Sequence, residues 1–537
     1  MKQTRSVWGC MAIVAALTAC APKNVPVETG EFAPDWESLK QWECPEWFKD
    51  AKFGIWAHWG PQCQAMRGDW YARHMYYDGH WQNNWHKEHF GDPSEYGMKE
   101  LIRDWKAERW QPDSLVALYK SVGARYFFTL GQHHENFDLW DSPYQEWNSV
   151  NMGPKRDIVG EWAEACEKYG LPLGISMHGS HTWTWMEKAQ DYDGNLTKAD
   201  GKGQWWEGYD PRMLYGIDLR EYESVEEKMF TGWSPPKPGI ITNHLEYANW
   251  YVTQWALRIM DVVANYDPDF IYTDGTVQGP FTGDGTGTFY KSNAMQTVMA
   301  DYYNRTLKKR GEVNTFSIIK FRNPTNGAVT TEEFGFPDDI NTSQPWIRET
   351  PVGDWFYAPG FVYDAGMMIH LIIEAVSRDG NAAINICLRP DGSIEDDCVK
   401  MLEEVGEWMA INGEAVYGSK AWKTLGEGEI IDGKLKKQPG GKLGKHHAEF
   451  PFNAQDIRFT EGKNGSIYAF CMAVPEAGQT VRILSMGKTA GHLSEIKDVA
   501  LLGYEGTLKW NQTDEALEIT CPSQLPCRNS IVFRINL

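Results

Sequence analysis

The sequence lacks any metal-binding cysteine pattern. Its ten cysteines include no CxxC pair and no other spacing that suits zinc, so neither a metal nor an organic cofactor is expected. It also lacks a basic excess: 52 Lys and Arg stand against 73 Asp and Glu, a formal net charge of −21. Nucleic-acid binding relies on a basic face that releases counterions, so a nucleic-acid partner is excluded. Long apolar runs are missing too. The stretch from Val7 to Leu17 is too short to span a bilayer as a mature anchor. No internal repeat is visible. With 42% hydrophobic residues over 537 positions, the chain is globular and long enough for one large domain plus a smaller one.

What is present begins with the leader. Met1-Lys2-Gln3-Thr4-Arg5 is basic, an apolar run follows, and Leu17-Thr18-Ala19-Cys20 closes it. That order predicts a signal peptide over 1–20. The closing residues resemble a bacterial lipoprotein cleavage box, which predicts lipidation of Cys20 and a membrane-anchored protein in the periplasm or at the cell surface. The alternative is a plain secretory cut near Ala19 or Ala21. Residues 21–40, rich in Pro, Glu and Lys, read as a tether. Export permits disulfides, and Cys521 with Cys527 is one local pair to consider. The oligomeric state is not legible.

Tryptophan is abundant, 26 of 537. Sugars present flat C–H faces that pack on aromatic rings, so a Trp-rich, acidic, exported chain points towards carbohydrate. The competing explanation is a large core that happens to use Trp.

From about 41 to 417 the chain alternates short apolar runs with amphipathic segments. Ala124–Leu130, Leu171–Met177, Phe270–Thr273, Phe316–Phe321 and Ala382–Leu388 read as buried strands. Asp157–Tyr169 and Leu245–Tyr266 carry apolar residues at helical spacing. Repeated strand–helix units predict an α/β fold, a (β/α)8-like barrel with some irregular members. From 418 to 537 the pattern changes to short alternating runs such as Ser466–Met472, Thr480–Leu484, Leu517–Thr520 and Ile531–Ile535. These predict a C-terminal all-β sandwich of accessory role.

Chemistry-bearing residues cluster where strands end, as barrel enzymes require. One strand runs out through His58-Trp59-Gly60, another through His133-His134-Glu135, a third through His178, a fourth through Thr273-Asp274-Gly275. An Asp after an apolar run, followed by Gly, aims a carboxylate into the barrel mouth; the bland alternative is a helix cap. Retaining glycoside hydrolysis needs a second carboxyl about 5–5.5 Å away. Glu332, Glu333 and Glu349 are the candidates, on stretches expected as loops above the barrel.

Taken together, His58-Trp59-Gly60, His133-His134, Phe137-Asp138-Leu139-Trp140-Asp141-Ser142, Lys155-Arg156-Asp157, Tyr272-Thr273-Asp274-Gly275, Gly380–Asn385 and Asn412–Gly418 resemble the α-L-fucosidases of glycoside hydrolase family 29. The resemblance implies removal of terminal α-L-fucose from glycans through a covalent glycosyl–enzyme intermediate. It implies Asp274 as nucleophile and Glu333 as acid/base, with Glu332 and Glu349 in reserve. His58, His133 and His134 would hold sugar hydroxyls, Trp59, Asp69, Trp70 and Tyr272 would shape the pocket, and Trp355 and Tyr357 would face the C6 methyl. Arg322 would orient the acid or the substrate. This chain has Tyr272-Thr273 where the family commonly has Trp-Phe, Asp69 where Glu is usual, Glu135-Asn136 for Asp-Gly, and Phe334 for Arg. Two other readings are a retaining glycosidase for a galactose-like sugar and a non-catalytic surface glycan-binding protein.

Overall fold

The computed structural model describes residues 26–216, 218, 245–274, 281, 292–320, 327–430, 452–490 and 495–537. The leader with Cys20, and Arg322, lie outside the described residues. Eight strands, β1 (Phe53–Ala57), β2 (Phe127–Gln132), β3 (Leu173–Met177), β4 (Phe270–Thr273), β5 (Phe316–Ile319), β6 (Thr330–Glu333), β7 (Trp346–Val352) and β8 (Asn381–Ile386), form one sheet. Its order is β5-β4-β3-β2-β1-β8-β7-β6, and its ladders are parallel. The two ends meet. Ile319 N donates to Val329 O at 3.2 Å and Val329 N to Ser317 O at 2.9 Å, a parallel bridge just ahead of β6. The barrel is thereby closed.

Helices Pro112–Ser121, Ile158–Tyr169, Leu245–Tyr266 and Ala294–Arg310 lead into β2, β3, β4 and β5, and Ala365–Val376 leads into β8. Among the described residues no helix separates β5 from β6 or β6 from β7, which is the irregularity the barrel carries. Local chemistry sets the helix ends. Asp157 accepts from Gly160 N at 2.8 Å, and Gly170 stops the helix at φ +60°. Between them Ile158, Val159, Trp162, Ala165 and Cys166 are buried.

Two stretches depart from expectation. Thr330–Glu333 and Trp346–Val352 are barrel strands, not loops above the barrel. Their polar residues disguise them, because a short strand at a barrel rim turns one face to the site and the other to the helix layer. The tryptophans largely serve the core: Trp105, Trp140, Trp162 and Trp346 are all below 2% exposed.

Helix Asp396–Val416 leads into β9 (Lys420–Glu427). It is followed by β10 (Ile457–Glu461), β11 (Ile467–Cys471), β12 (Thr480–Ile483), β13 (Asp498–Leu501), β14 (Lys509–Gln512), β15 (Leu517–Thr520) and β16 (Ile531–Asn536). An antiparallel sheet β13-β16-β11-β10-β9 packs with a three-stranded sheet β12-β15-β14 around Phe459, Ile483, Leu517 and Phe533. This is the expected sandwich. Cys521 and Cys527 are both free, so the local disulfide is not made, and Cys527 Sγ instead accepts from Asn412 at 3.3 Å. Residues 26–39, expected within the tether, lie along helix Ala294–Arg310. Asn304 bonds the backbone at Glu28 and Phe32, and the Phe32 ring meets Tyr303. No described helix is long and apolar enough to cross a membrane.

Candidate active site

Parallel register builds the site. Thr273 pairs with Met177 on one side and Ile319 on the other, so the residues that follow each strand, Asp274, His178 and Lys320, emerge side by side. Backbone bonds hold them there: Lys320 N donates to Thr273 O at 3.0 Å, Asp274 N to Met177 O at 3.3 Å, and His178 N to Gln132 O at 3.0 Å. They open into a pocket lined by Trp56, His58, Asp69, Trp70, His133, His134, His178, His181, Asp274, Lys320, Glu333 and Trp355.

Asp274 is buried, yet charged. His178 Nδ1 donates to its Oδ2 at 3.1 Å, and Lys320 Nζ stands 3.6 Å from the same oxygen. Oδ1 lies 3.7 Å from His181 Nε2, beyond ordinary hydrogen-bond reach. Burial pushes the carboxyl pKa up, but Lys320, His178 and His181 outweigh it and hold the group well below the usual carboxylate range. Lys320 also reaches Glu333 Oε1 at 3.2 Å and Glu349 Oε1 at 3.9 Å. Burial works to lower its pKa, and three carboxylates raise it instead.

The β6–β7 register separates the acid candidates. Glu333 pairs with Glu349, and Glu332 with Arg348. Alternation sends the two pairs to opposite faces. Glu333 lines the pocket. Glu349 lies beneath it, 1% exposed, accepting from Tyr272 Oη at 3.1 Å, and burial pushes its pKa up to about 8 against the pull of Lys320. Arg348 faces outward, its guanidinium 3.8 Å from the Phe336 ring centre. Glu332 shares that outer face.

The histidines are fixed from behind. Asn385 Oδ1 accepts from both His58 N (2.7 Å) and His58 Nδ1 (3.1 Å). His134 Nδ1 donates to His178 O at 3.0 Å. These bonds leave the Nε2 atoms of His58 and His134 as acceptors. Gln62 Nε2 donates to His133 Nδ1 at 2.9 Å, which leaves His133 Nε2 a donor. Glu135 Oε2 sits 3.2 Å from that same Nδ1, and burial pushes its pKa up to about 8, so its protonated form competes with Gln62 for the one lone pair there. All four imidazoles of His58, His133, His134 and His178 have pKa values lowered, first by burial and then by neighbouring positive charge: the other rings at His133, His178 and Lys320 at His58, His181 at His134, and Lys320 and His181 at His178. Neutral rings with one donor and one acceptor each suit hydroxyl groups, which also do both. Ligand-type atoms of His58, His133 and His178, and of His134, His178 and Asp274, lie within 4.8 Å of one another, a convergence no sequence spacing announces.

A family model described as Alpha-L-fucosidase matches residues 19–414. A second, Alpha-L-fucosidase C-terminal domain, matches 451–536. The chain belongs to the α-L-fucosidase family. It is therefore a glycoside hydrolase that removes fucose. It is 26% identical to the tissue alpha-L-fucosidase of Rattus norvegicus over 98% of this chain and 96% of that one. To the Homo sapiens tissue alpha-L-fucosidase it is 25% identical over 92% and 88%. Among solved structures, Thermotoga maritima alpha-fucosidase in complex with fucose superposes with a TM-score of 0.67 at 22% identity, covering 94% of this chain and 100% of that one.

Within this fucosidase, the structure gathers Asp274, Glu333, His58, Asp69, Trp70, His133, His134 and Trp355 around one pocket. It does not bring in Trp59. That ring packs on Trp105 and Trp110, with Nε1 donating to Arg389 O at 2.9 Å, because the chain turns away at Gly60 into the helix layer. Tyr272 lies under the floor against Trp56 and Glu349 rather than in the pocket. Tyr357 points away, its hydroxyl on Glu395 at 2.8 Å. Glu332 is excluded by register.

Sequence reading missed Lys320, His181, Trp56 and the supporting Asn385. A signal existed for Lys320, since it follows the apolar run Phe316–Ile319 just as Asp274 follows Phe270–Thr273. Lys320 brings a cation to the site two positions before Arg322, which lies outside the described residues.

Proposed function

We propose that Asp274 is the nucleophile and Glu333 the acid/base of a retaining exo-fucosidase. An Asp274 oxygen attacks the anomeric carbon of terminal α-L-fucose, while Glu333 protonates the departing glycosidic oxygen. Water, deprotonated by Glu333, then releases the sugar from the ester. The observation that carries this reading is the sharing of one ammonium: Lys320 Nζ contacts Asp274 at 3.6 Å and Glu333 at 3.2 Å. That sharing fits the short carboxyl spacing of about 5–5.5 Å used by retaining enzymes. Burial pushes the pKa of Glu349 up to about 8, but that carboxyl is sealed under the floor with Tyr272. Pocket access supports Glu333.

His58, His134 and His133 serve the sugar hydroxyls, two as acceptors and one as donor. Trp56 and Trp355, whose rings meet at 5.4 Å, offer an apolar wall to the C6 methyl, with Phe334 5.7 Å from Trp355. The natural substrate is a fucosylated oligosaccharide or glycan. The chain divides into leader 1–20, arm 21–40, catalytic barrel 41–417 and accessory sandwich 418–537. Export and anchoring through lipidated Cys20 rest on the leader sequence; Cys20→Ser should move the protein from the membrane to the soluble fraction.

Asp274→Ala should reduce turnover about 10⁴-fold or more with the fold intact by circular dichroism. Added azide should restore turnover and yield a fucosyl azide of inverted anomeric configuration. An active Asp274→Ala enzyme, or rescue giving the retained anomer, would overturn the assignment.

A further inference from the structure

A line of aromatic rings runs from the fucose pocket to open surface. Trp70 lines the pocket. Its ring lies 5.7 Å from His74, His74 lies 4.1 Å from His80, and His80 lies 5.9 Å from Trp81. Trp81 is 57% exposed, the highest value among the large exposed hydrophobic residues described, and Met66 beside this segment is 40% exposed. A lone surface Trp needs no explanation, but a ring-to-ring path that starts in a catalytic pocket does.

The path is also held rigid. Gln82, 2% exposed, donates from Nε2 to Arg67 O at 2.9 Å and Asp69 O at 3.2 Å, while its Oε1 meets His74 Nδ1 at 2.8 Å. One buried amide therefore ties the strip to the pocket-lining Asp69. Trp70 itself sits at φ +60°, a strained conformation for a bulky residue. Its amide is secured by Asp69 Oδ1 at 2.8 Å.

Resting on the retaining-fucosidase reading, we propose that Trp70, His74, His80 and Trp81 form the subsite for the sugars that carry the fucose. This strip stacks the C–H faces of the second and third residues of the glycan. An exo-enzyme's pocket grips a single sugar, so affinity for the rest of the glycan must come from outside it, and amphipathic rings at fixed spacing supply that at low entropic cost.

The test compares two substrates across Trp81→Ala, His80→Ala and Trp81→Phe. α-L-Fucosyl fluoride carries no second sugar. Of a panel of α-fucosyl trisaccharides, the best-cleaved one is used. The alanine variants should lose about tenfold in kcat/KM on the trisaccharide, mainly through KM, equivalent to about 1.4 kcal/mol, and nothing on the fluoride. Trp81→Phe should recover most of the loss. Equal losses on both substrates, or none on the trisaccharide, would overturn the subsite. Wild-type enzyme inert towards the fluoride would instead refute the retaining-fucosidase reading.

Discussion

Two buried carboxylates in this fucosidase sit among cations and are held in opposite ways. Glu374, on helix Ala365–Val376, is clamped by Arg378 and by Arg458 of β10, the latter at 2.8 Å. Asp274 touches Lys320 at 3.6 Å and His181 at 3.7 Å, and only the His178 contact, 3.1 Å, is a hydrogen bond. Both groups stay ionised, because nearby positive charge or hydrogen bonding outweighs burial. The difference lies in what is left over. Each oxygen of Glu374 has a guanidinium in close ion-pair contact, Arg378 on Oε2 and Arg458 on Oε1, and these contacts join barrel to sandwich. Asp274 keeps an oxygen uncommitted to the described residues, and a nucleophile needs a free lone pair. Tight ion pairing marks architecture here, and loose pairing around a pocket marks chemistry.

The sharpest way to test that contrast is to remove the proton donor. Glu333→Ala should slow cleavage of natural fucosides by about 10²–10⁴-fold, with a smaller loss on aryl fucosides whose leaving groups need no proton. Comparing kcat/KM on the two substrate types measures it. Equal losses would shift the acid role to Glu349, the other carboxyl in reach of Lys320.

Glu374→Ala should do the reverse. It strands Arg378 and Arg458, which are 6% and 1% exposed, and should cost about 3–5 kcal/mol of stability while leaving kcat near wild type in protein that remains folded. Chemical denaturation and assays below the transition check both halves. A large kcat loss without a stability loss would erase the distinction between the two networks.

Lys320→Met acts on the loose network alone. Asp274 must be ionised to attack, and Lys320 helps hold its pKa low. Without that cation the pKa rises, so the acid limb of the kcat/KM profile moves to higher pH and activity is lost first on the acid side. The shared proton donor loses the same stabilising charge, so the basic limb moves upward as well. A profile displaced downward, or unmoved, would show that Lys320 does not set these charges.

These contrasts also show what was readable beforehand. Apolar runs of four to six residues exposed most barrel strands, because parallel strands are buried on both faces. Asp274, His58, His133 and His134 were visible since each follows such a run. Lys320 was hidden because the run Phe316–Phe321 reads as one buried strand that includes it; the strand ends at Ile319, and the β4–β5 register sets Lys320 beside Asp274. Trp59 misled in the other direction, because adjacency to His58 says nothing about which way its ring turns. Among the motifs carrying the family resemblance, Asp138 pairs with buried Arg258 at 3.0 Å, and Asp157 caps a helix. Those residues identify the fold, and the chemistry lies elsewhere.

The smallest expected effect comes from Glu332→Gln. Glu332 and Glu333 are neighbours of one type on β6, and a helical or irregular segment could turn either towards substrate. A strand cannot. Its alternation places Glu332 opposite Arg348 on the helix-facing side, while Glu333 and Glu349 face Lys320. Glu332→Gln keeps the shape and removes only the charge near Arg348, so kcat/KM should stay within about twofold on every substrate and stability should change by about 1 kcal/mol or less. Measured beside Glu333→Ala on the same natural fucoside, this one-residue step should span two orders of magnitude or more. A loss at Glu332 comparable to that at Glu333 would mean the β6–β7 register is wrong by one residue, and with it the acid assignment.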